Sequence, residues 1–187
     1  VAIFMLGRTS GEFADRNMEN DYLLSDAELK TIKTLSEVYR AEGKKFVVVL
    51  NIGGVIETAS WSNLADAILL AWQPGQEAGN AICDVLTGKA NPSGKLPMTF
   101  SVKYTDHKSA ENFPGITFDL PAEGGTSFMK AKPAQVEYNE GIFVGYRHFE
   151  TANIKTAYPF GYGLSYTSFE YSNIKVEKTP SGFDIQW

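Results

Sequence analysis

Two short apolar runs constrain the fold of this chain more than any other feature of its sequence. The segments "FVVVLN" (46–51) and "AILLAW" (67–72) show no alternation of polar and apolar residues, and such runs are typical of strands covered on both faces of a sheet. A third apolar run, "VAIFML" (1–6), also has the character of a buried strand. Strands of this kind normally lie parallel to one another, with helices on both faces of the sheet.

Two amphipathic segments supply the helices that such a sheet needs. Residues 25–43 combine a capping-box pair, Ser25 and Glu28, with an apolar face and a glycine at the end. Residues 77–88 show a second helical period, and "KLPMTF" (95–100) predicts a further, peripheral strand. The order strand, helix, strand, strand, helix, strand predicts an α/β fold with a mostly parallel sheet and flanking helices.

After the last of these runs the pattern changes. Residues 102–135 carry Gly, Pro, Asn, Asp and Ser with little periodicity, and "GIFVGYRHFE" (141–150) is compatible with a short strand. Residues 169–187 alternate around a "TPSG" turn, which predicts two strands that begin a β-sandwich. We therefore expect an α/β domain over residues 1–165 and the start of a β-sandwich domain over residues 166–187.

The composition argues against several classes of function. A net charge of −5 disfavours nucleic-acid and anionic-membrane partners, which need a basic face, and no apolar run approaches the roughly 20 residues of a membrane span. Cys83 is the only cysteine, so the chain has no internal disulfide framework and no thiolate zinc cluster. His107 and His148 lie far apart, and neither has a carboxylate at ligand spacing. We expect no metal and no cofactor.

Two glycine-containing segments resemble nucleotide-binding loops only superficially. "NIGGVIE" (51–57) follows a predicted strand but lacks the G-x-G-x-x-G spacing. "GKANPSGKL" (88–96) is one residue too long for a P-loop, and Leu96 stands where Ser or Thr must hold magnesium. Both segments are predicted to be turns. A G-x-S-x-G nucleophile turn is also absent from the sequence.

The remaining candidates for chemistry are carboxylates in loops. Glu12 lies in "GRTSGEFADR" (7–16), just after a predicted strand, where α/β proteins place functional residues. Glu57 and Glu140 also lie in loops near predicted strand ends, whereas the helix dipole accounts for Glu77 at the first turn of a helix. The residues alone leave Glu12 open between a catalytic carboxylate and a solvated loop residue.

Four segments, in this order along the chain, carry a resemblance to a known family. They are "SGEFADR" (10–16), "AILLAWQPGQEAGNAICDVLTGKANPSGKLPMTF" (67–100), "YNEGIFVGYRHFE" (138–150) and "YPFGYGLSYTSFEY" (158–171). Together they resemble the C-terminal part of family 3 glycoside hydrolases, the β-glucosidase and β-xylosidase group. The resemblance implies a partial (α/β)6-sandwich followed by the first strands of a fibronectin-III-like domain.

The resemblance also implies a role for Glu12. In that family a (β/α)8 barrel carries an aspartate nucleophile, and the following sandwich domain supplies the general acid/base, which corresponds to Glu12. Phe13 stands where the family motif has its second glycine, so the path of this loop can differ from that of the family. The polar neighbours of Glu12 in sequence, to which no role is assigned, are Arg8, Ser10, Asp15 and Arg16.

The implied activity is that of a retaining, β-glucosidase-like glycosidase, which hydrolyses terminal β-linked sugars by a two-carboxylate double displacement. Both ends of the chain fall in strand-like patterns, so we expect it to be a piece of a longer protein whose barrel is its partner domain. By itself this piece would lack the nucleophile and be inactive. Export to a periplasm or to the outside of the cell is implied by the family alone.

A second class of function stays open on the sequence. The chain could be a non-catalytic, flavodoxin-like carbohydrate-binding or interaction module, with the aromatic residues of 158–171 as its contact surface. Self-association is a further expectation, because a truncated sheet and sandwich leave unpaired strand edges and apolar surface.

Overall fold

Three parallel strands form the central sheet of the part of the chain that the computed structural model describes, residues 1–9, 11, 15–122 and 132–186. The strands are β1 (Ala2–Gly7), β2 (Phe46–Asn51) and β3 (Ala67–Leu70), and their order in the sheet is β1-β2-β3. Phe4 pairs with Val48, and Val48 pairs with Ile68, so the register is continuous across the sheet. The predicted α/β fold with a parallel sheet is confirmed.

Strand β2 is the buried centre of this sheet, and β1 is covered on one face. Val48, Val49 and Leu50 are at most 1% exposed, as the unbroken apolar run predicts. In β1, Leu6 packs into the core, but alternate residues such as Ile3 are about half exposed. The strand predicted for residues 1–6 is confirmed, whereas its burial on both faces is not found among the described residues.

Helix α1 (Asp26–Ala41) connects β1 to β2 and packs on the core. The predicted capping box is present, because the Glu28 amide donates to the Ser25 hydroxyl at 3.3 Å and the Ser25 amide donates to the Glu28 carboxylate at 2.8 Å. The helix ends two residues before Gly43, whose φ of 65° favours glycine. Its apolar face, with Ile32 fully buried, closes one side of the sheet.

Helix α2 (Ala78–Leu86) follows β3 and is only partly covered. The side predicted to face inward is half-buried at Ala78, Ile82, Val85 and Leu86, and no residue of the helix is fully buried. The last turn of this helix is joined to the later chain, since the Tyr166 hydroxyl donates to the Val85 carbonyl at 2.9 Å. The segment 158–171, which contains Tyr166, therefore packs against helix α2.

Two predictions for the second half of the chain are wrong. The strand predicted at 95–100 shortens to β4 (Phe100–Ser101), which pairs antiparallel with β7 (Thr156–Tyr158) and does not join the parallel sheet. Pro97 lacks the amide that a ladder would need. The strand considered for 141–150 is helix α3 (Tyr146–Thr151), which follows Gly145 at a φ of 59° and buries Phe149.

The remaining strands of the described residues form two small antiparallel pairs. Strand β5 (Ile116–Thr117) pairs with β6 (Ala134–Gln135), and β8 (Lys175–Thr179) pairs with β9 (Gly182–Gln186). The second pair confirms the two strands predicted near the end of the chain, while its assignment to a fibronectin-III-like domain, and the boundary at residue 165, stay predictions. Short helical turns lie between these elements at Met18–Tyr22, Ser62–Leu64, Gly75–Glu77, Tyr104–Asp106 and Lys108–Glu111.

Candidate functional site

A cleft of about 880 Å³ lies where the segments that follow β1 and β2 meet the later part of the chain. Open α/β sheets bind ligands in this position, beyond the carboxyl ends of their strands. The segment after β1 contributes Gly11 and residues 15–18, and the segment after β2 contributes Val55. Aromatic and acidic side chains from the later chain form much of the opposite wall, among them Tyr104, His107, Phe113, Glu137, Tyr138 and Glu140.

Glu12, the residue predicted as the acid/base, lies outside the described residues, as do Ser10 and Phe13. Gly11 is described, borders the cleft and has a φ of 77°, which favours glycine. The chain on both sides of Glu12 therefore reaches the cleft, at Gly11 before it and at Asp15 after it. The catalytic assignment of Glu12 stays a prediction.

Arg8 fixes the start of this segment to helix α1. Its two terminal nitrogens donate to the two carboxylate oxygens of Glu28, each at 2.7 Å, in a bidentate pair. The Arg8 side chain is 7% exposed, and its Nε also donates to the Asp21 carbonyl at 2.9 Å. Burial alone would raise the pKa of Glu28, but hydrogen bonds from Arg8 and Ser25 outweigh it and hold that pKa below its usual value.

Arg16 fixes the end of the same segment and lines the cleft. Its Nε donates to Asp21 Oδ1 at 2.9 Å, and its Nη1 donates to the Val55 carbonyl at 2.9 Å. Its Nη2 reaches the Asp21 carbonyl at 3.3 Å, the oxygen that Arg8 also contacts. All three nitrogens of the guanidinium are engaged, so the segments after β1 and β2 are joined through this one side chain.

A hydrogen-bonded chain of neutral groups lies beside the cleft. His107 Nε2 and Ser101 Oγ are 3.0 Å apart, and the Tyr22 hydroxyl is 3.3 Å from the same Ser101 oxygen. Ser101 is 1% exposed, and the His107 ring packs edge-on against Phe149. Burial lowers the pKa of His107 and raises the pKa of Tyr22, so both groups are held in their neutral forms at neutral pH.

The two histidines do not form a metal site. His107 follows the turn Tyr104–Asp106, and His148 lies in α3, where its Nε2 is 3.1 Å from the Asp106 carbonyl. Within the described part of the chain, no group of three or more His, Cys, Asp or Glu side chains could hold a metal ion.

The other candidate carboxylates separate clearly. Glu57 is 8% exposed, and both of its carboxylate oxygens accept from Ser60, one from the amide and one from the hydroxyl, each at 2.7 Å. Glu140 is 9% exposed and lines the cleft. Glu77 is exposed at the start of α2, where its carboxylate accepts from Asn80 at 2.6 Å. The Glu57 carboxylate therefore stabilises the turn in which it lies. Of these three carboxylates, Glu140 borders the cleft.

No pattern in the sequence predicts Tyr22, Ser101 or the pairing of Arg8 with Glu28. Tyr22 and Ser101 are far apart along the chain, and neither stands in a motif with spacing that indicates chemistry. Only the parallel sheet and the return of the later chain bring them together. The arginines were recognisable as neighbours of Glu12, but their shared acceptor is a backbone carbonyl, which no side-chain pattern reveals.

Comparison with known proteins decides the family. Residues 1–146 match the family model described as the glycosyl hydrolase family 3 C-terminal domain. This chain belongs to that family. The resemblance inferred from the four sequence segments is confirmed, and the first and second of those segments lie wholly within the matched region, as does the start of the third.

The relatives of this family 3 domain are named glycosidases. Beta-glucosidase B of Emericella nidulans is 46% identical over 135 residues, which cover 71% of this chain and 15% of that protein. An exo-alpha-(1->6)-L-arabinopyranosidase of Bifidobacterium longum is 38% identical over 154 residues, which cover 82% of this chain and 18% of that protein. Each of these names describes a whole enzyme, of which this chain matches less than a fifth.

A solved β-glucosidase structure is also similar to this chain. Beta-glucosidase 3B from Thermotoga neapolitana, in complex with glucose, is 47% identical to this chain with a TM-score of 0.82. The match covers 94% of this chain and 23% of that one. The chain thus spans less than a quarter of the length of the relatives described here. Among the described residues, none of the helices combines the length and hydropathy that crossing a membrane requires.

Proposed function

We propose that this domain supplies the general acid/base, Glu12, to a longer β-glucosidase-like enzyme. The observation that carries the proposal is the family match over residues 1–146, together with relatives named beta-glucosidases at 46 and 47% identity. The position of the flanking residues supports it, since Gly11, Asp15 and Arg16 border the cleft at the end of the parallel sheet. The proposed substrates are terminal β-linked glucosides.

The chemistry requires a second carboxylate, which we place on a barrel domain of the same protein. A retaining glycosidase holds its two carboxyl groups about 5–5.5 Å apart, one to attack the anomeric carbon and one to transfer a proton. Glu12 protonates the leaving oxygen in the first step and accepts a proton from water in the second. Because the nucleophile belongs to the barrel, residues 1–187 by themselves are expected to hydrolyse no aryl β-glucoside.

The decisive experiment compares the full-length protein with its Glu12→Ala variant on an activated aryl glucoside and on an alkyl glucoside. Loss of general acid catalysis should lower kcat/KM for the alkyl glucoside about 10²–10⁴-fold, because its leaving group needs a proton. The kcat/KM for the activated glucoside should fall far less. Added azide should restore turnover of the activated substrate and yield a β-glycosyl azide.

Glu12→Gln is the isosteric control, because it keeps the side-chain volume and removes the titratable group. Near-normal turnover of both substrates by the two variants would contradict the proposal. The search would then move to Glu140, which borders the cleft, and not to Glu57, whose carboxylate oxygens both accept from Ser60.

The sugar itself is a separate part of the proposal. The relative named an arabinopyranosidase indicates that the family accepts more than one glycone. A panel of 4-nitrophenyl glycosides should give the highest kcat/KM with β-D-glucoside, and a preference for α-L-arabinopyranoside would correct the substrate while leaving the role of Glu12 intact. Export of the whole protein stays a prediction, which cell fractionation of the source organism would test.

A further inference from the structure

The segment that contains Glu12 begins and ends at two arginines that share one acceptor. Arg8 precedes Glu12 and donates from Nε to the Asp21 carbonyl at 2.9 Å, while Arg16 follows Glu12 and donates from Nη2 to the same oxygen at 3.3 Å. The common acceptor ties Arg8 and Arg16, one at each end of the segment, to the same backbone group. The ends of this segment are therefore set by directional hydrogen bonds.

Arg16 extends this anchor to the neighbouring strand. Its Nη1 donates to the Val55 carbonyl at 2.9 Å, and Val55 follows β2, the central strand of the sheet. Its Nε donates to the Asp21 carboxylate at 2.9 Å. A planar guanidinium with all of its nitrogens engaged has a defined orientation, which a lysine could not reproduce. Arg16 thus attaches the end of the segment to the chain that follows the central strand of the sheet.

Gly54 provides the space that this arrangement needs. A Cβ added at Gly54 would lie 2.7 Å from Arg16 Nη1 and 3.7 Å from its Cζ. No side chain can occupy position 54 unless the guanidinium moves. The glycine pair in "NIGGVIE", which lacks the spacing of a nucleotide-binding motif, therefore has a steric explanation at its second member.

Both arginines carry charges that are already compensated. Arg8 is paired with Glu28 at 2.7 Å, and Arg16 is paired with Asp21 at 2.9 Å. An unpaired cation beside a general acid would favour its ionised form and deplete the proton that it must donate. Because each guanidinium has its own carboxylate, these arginines can orient the segment without that penalty.

We propose that Arg16 is a positioning residue for the general acid/base Glu12, and that Gly54 is required for Arg16 to do so. The inference rests on the proposed function of Glu12. A displaced Glu12 donates its proton poorly at the moment when the glycosidic oxygen leaves, so the defect depends on the leaving group. A misplacement of about 1 Å can cost on the order of 100-fold in rate.

The test measures kcat/KM of the full-length protein on two glucosides that share the glycone, 2,4-dinitrophenyl and methyl β-D-glucoside. The variants are Arg16→Met, which removes the anchor; Arg16→Lys, which keeps the charge without the fork; and Gly54→Ala, which displaces the guanidinium. Each should lose about 10- to 100-fold on the methyl glucoside and no more than about threefold on the dinitrophenyl glucoside, which leaves without protonation.

Two controls separate positioning from loss of fold. Lys45→Met removes a cation from an exposed ion pair with Asp66, 2.8 Å long, at the opposite end of β2, and should leave both substrates unaffected. Ile32→Val destabilises the fully buried core slightly and should leave the ratio of the two kcat/KM values unchanged, because any loss of folded protein lowers both values by the same factor. The ratio of the two kcat/KM values therefore distinguishes a positioning defect from a loss of stability.

The outcomes distinguish this inference from the proposed function. If Glu12→Ala shows the leaving-group dependence and the three anchor variants show equal losses on both substrates, or none, the positioning role of Arg16 is wrong and the acid/base stands. If Glu12→Ala itself shows no such dependence, the proposed function is wrong and the inference fails with it. A dependence in Gly54→Ala that matches Arg16→Met would support the inference through a residue that carries no charge.

Discussion

The segments that follow β1 and β2 leave the same edge of the sheet, yet they are held by different forces. After β2, Ile52, Ile56 and Trp61 are all 0% exposed and belong to the main core. After β1, none of the described residues from 7 to 20 is buried, and the anchors are Arg8 and Arg16. One segment is part of the core, and the other is attached to it by hydrogen bonds and ion pairs.

The difference shows how one edge of a sheet can serve stability and chemistry at once. Burial is roughly proportional to area and indifferent to direction, so an apolar segment contributes stability without a precise orientation. Charged hydrogen bonds contribute less net free energy but depend on direction. Arg8 and Arg16 therefore have defined orientations without belonging to the apolar core.

The largest predicted effect breaks the segment after β2. Trp61 is fully buried and its Nε1 donates to the Glu57 carbonyl at 2.7 Å, so Trp61→Ala should cost about 3–5 kcal/mol in the free energy of unfolding. Denaturation of the full-length protein followed by circular dichroism measures it. The leaving-group ratio of the folded fraction should not change. A variant as stable as wild type would show that this segment does not depend on its burial.

A smaller effect is expected when the segment after β1 loses its first anchor. Arg8→Met removes the bidentate ion pair and leaves the partly buried Glu28 carboxylate without a cationic partner. The free energy of unfolding should fall by about 1.5–3 kcal/mol. The unfolding midpoint should therefore fall less than in Trp61→Ala, while the methyl glucoside rate falls more than the dinitrophenyl glucoside rate. Loss of stability with an unchanged ratio would assign Arg8 to helix α1 alone.

The smallest effect concerns pH and separates the two segments further. Since the Arg8 and Ser25 hydrogen bonds hold the pKa of Glu28 below its usual value of 4.5, the charged carboxylate stabilises the fold above that pH. This contribution is lost as the pH falls through the lower folded pKa. The difference between the unfolding midpoints of wild type and Glu28→Gln should be constant near pH 7 and should narrow as the pH falls below 4.5. A difference that does not change with pH under acidic conditions would contradict the linkage.

Local patterns predicted the elements that depend on nearby residues. The capping box of Ser25 and Glu28 and the stop at Gly43 placed α1, because both signals act within one turn of the helix. The apolar run at 46–51 placed β2 in the centre of the sheet. Predictions failed where the decision was not local: β4 pairs with β7 across more than 50 residues of sequence, and Gly145 starts a helix in a segment that resembled a strand.

The candidate site divides along the same line. The assignment of Glu12 as the acid/base rests on the segment 10–16 and its family resemblance and stays a prediction, whereas membership of the family is confirmed over residues 1–146. The Arg16 contacts with Asp21 and Val55, and the approach of His107 and Tyr22 to Ser101, were not predictable. Several of these contacts use backbone carbonyls or uncharged hydroxyls, which leave no periodic or compositional signal.

By itself, the sequence determined the α/β class, the succession of strands and helices from β1 to α2 along the chain, the caps of α1 and the family of the domain. These properties follow from short-range periodicity, from residues that favour particular backbone angles, and from motifs read along the chain. Only the tertiary structure decided which segment is core and which is held by arginines, because a guanidinium selects its acceptor by distance and direction in space. The space left open by Gly54, through which Arg16 reaches Val55, exists only once β1 and β2 lie side by side.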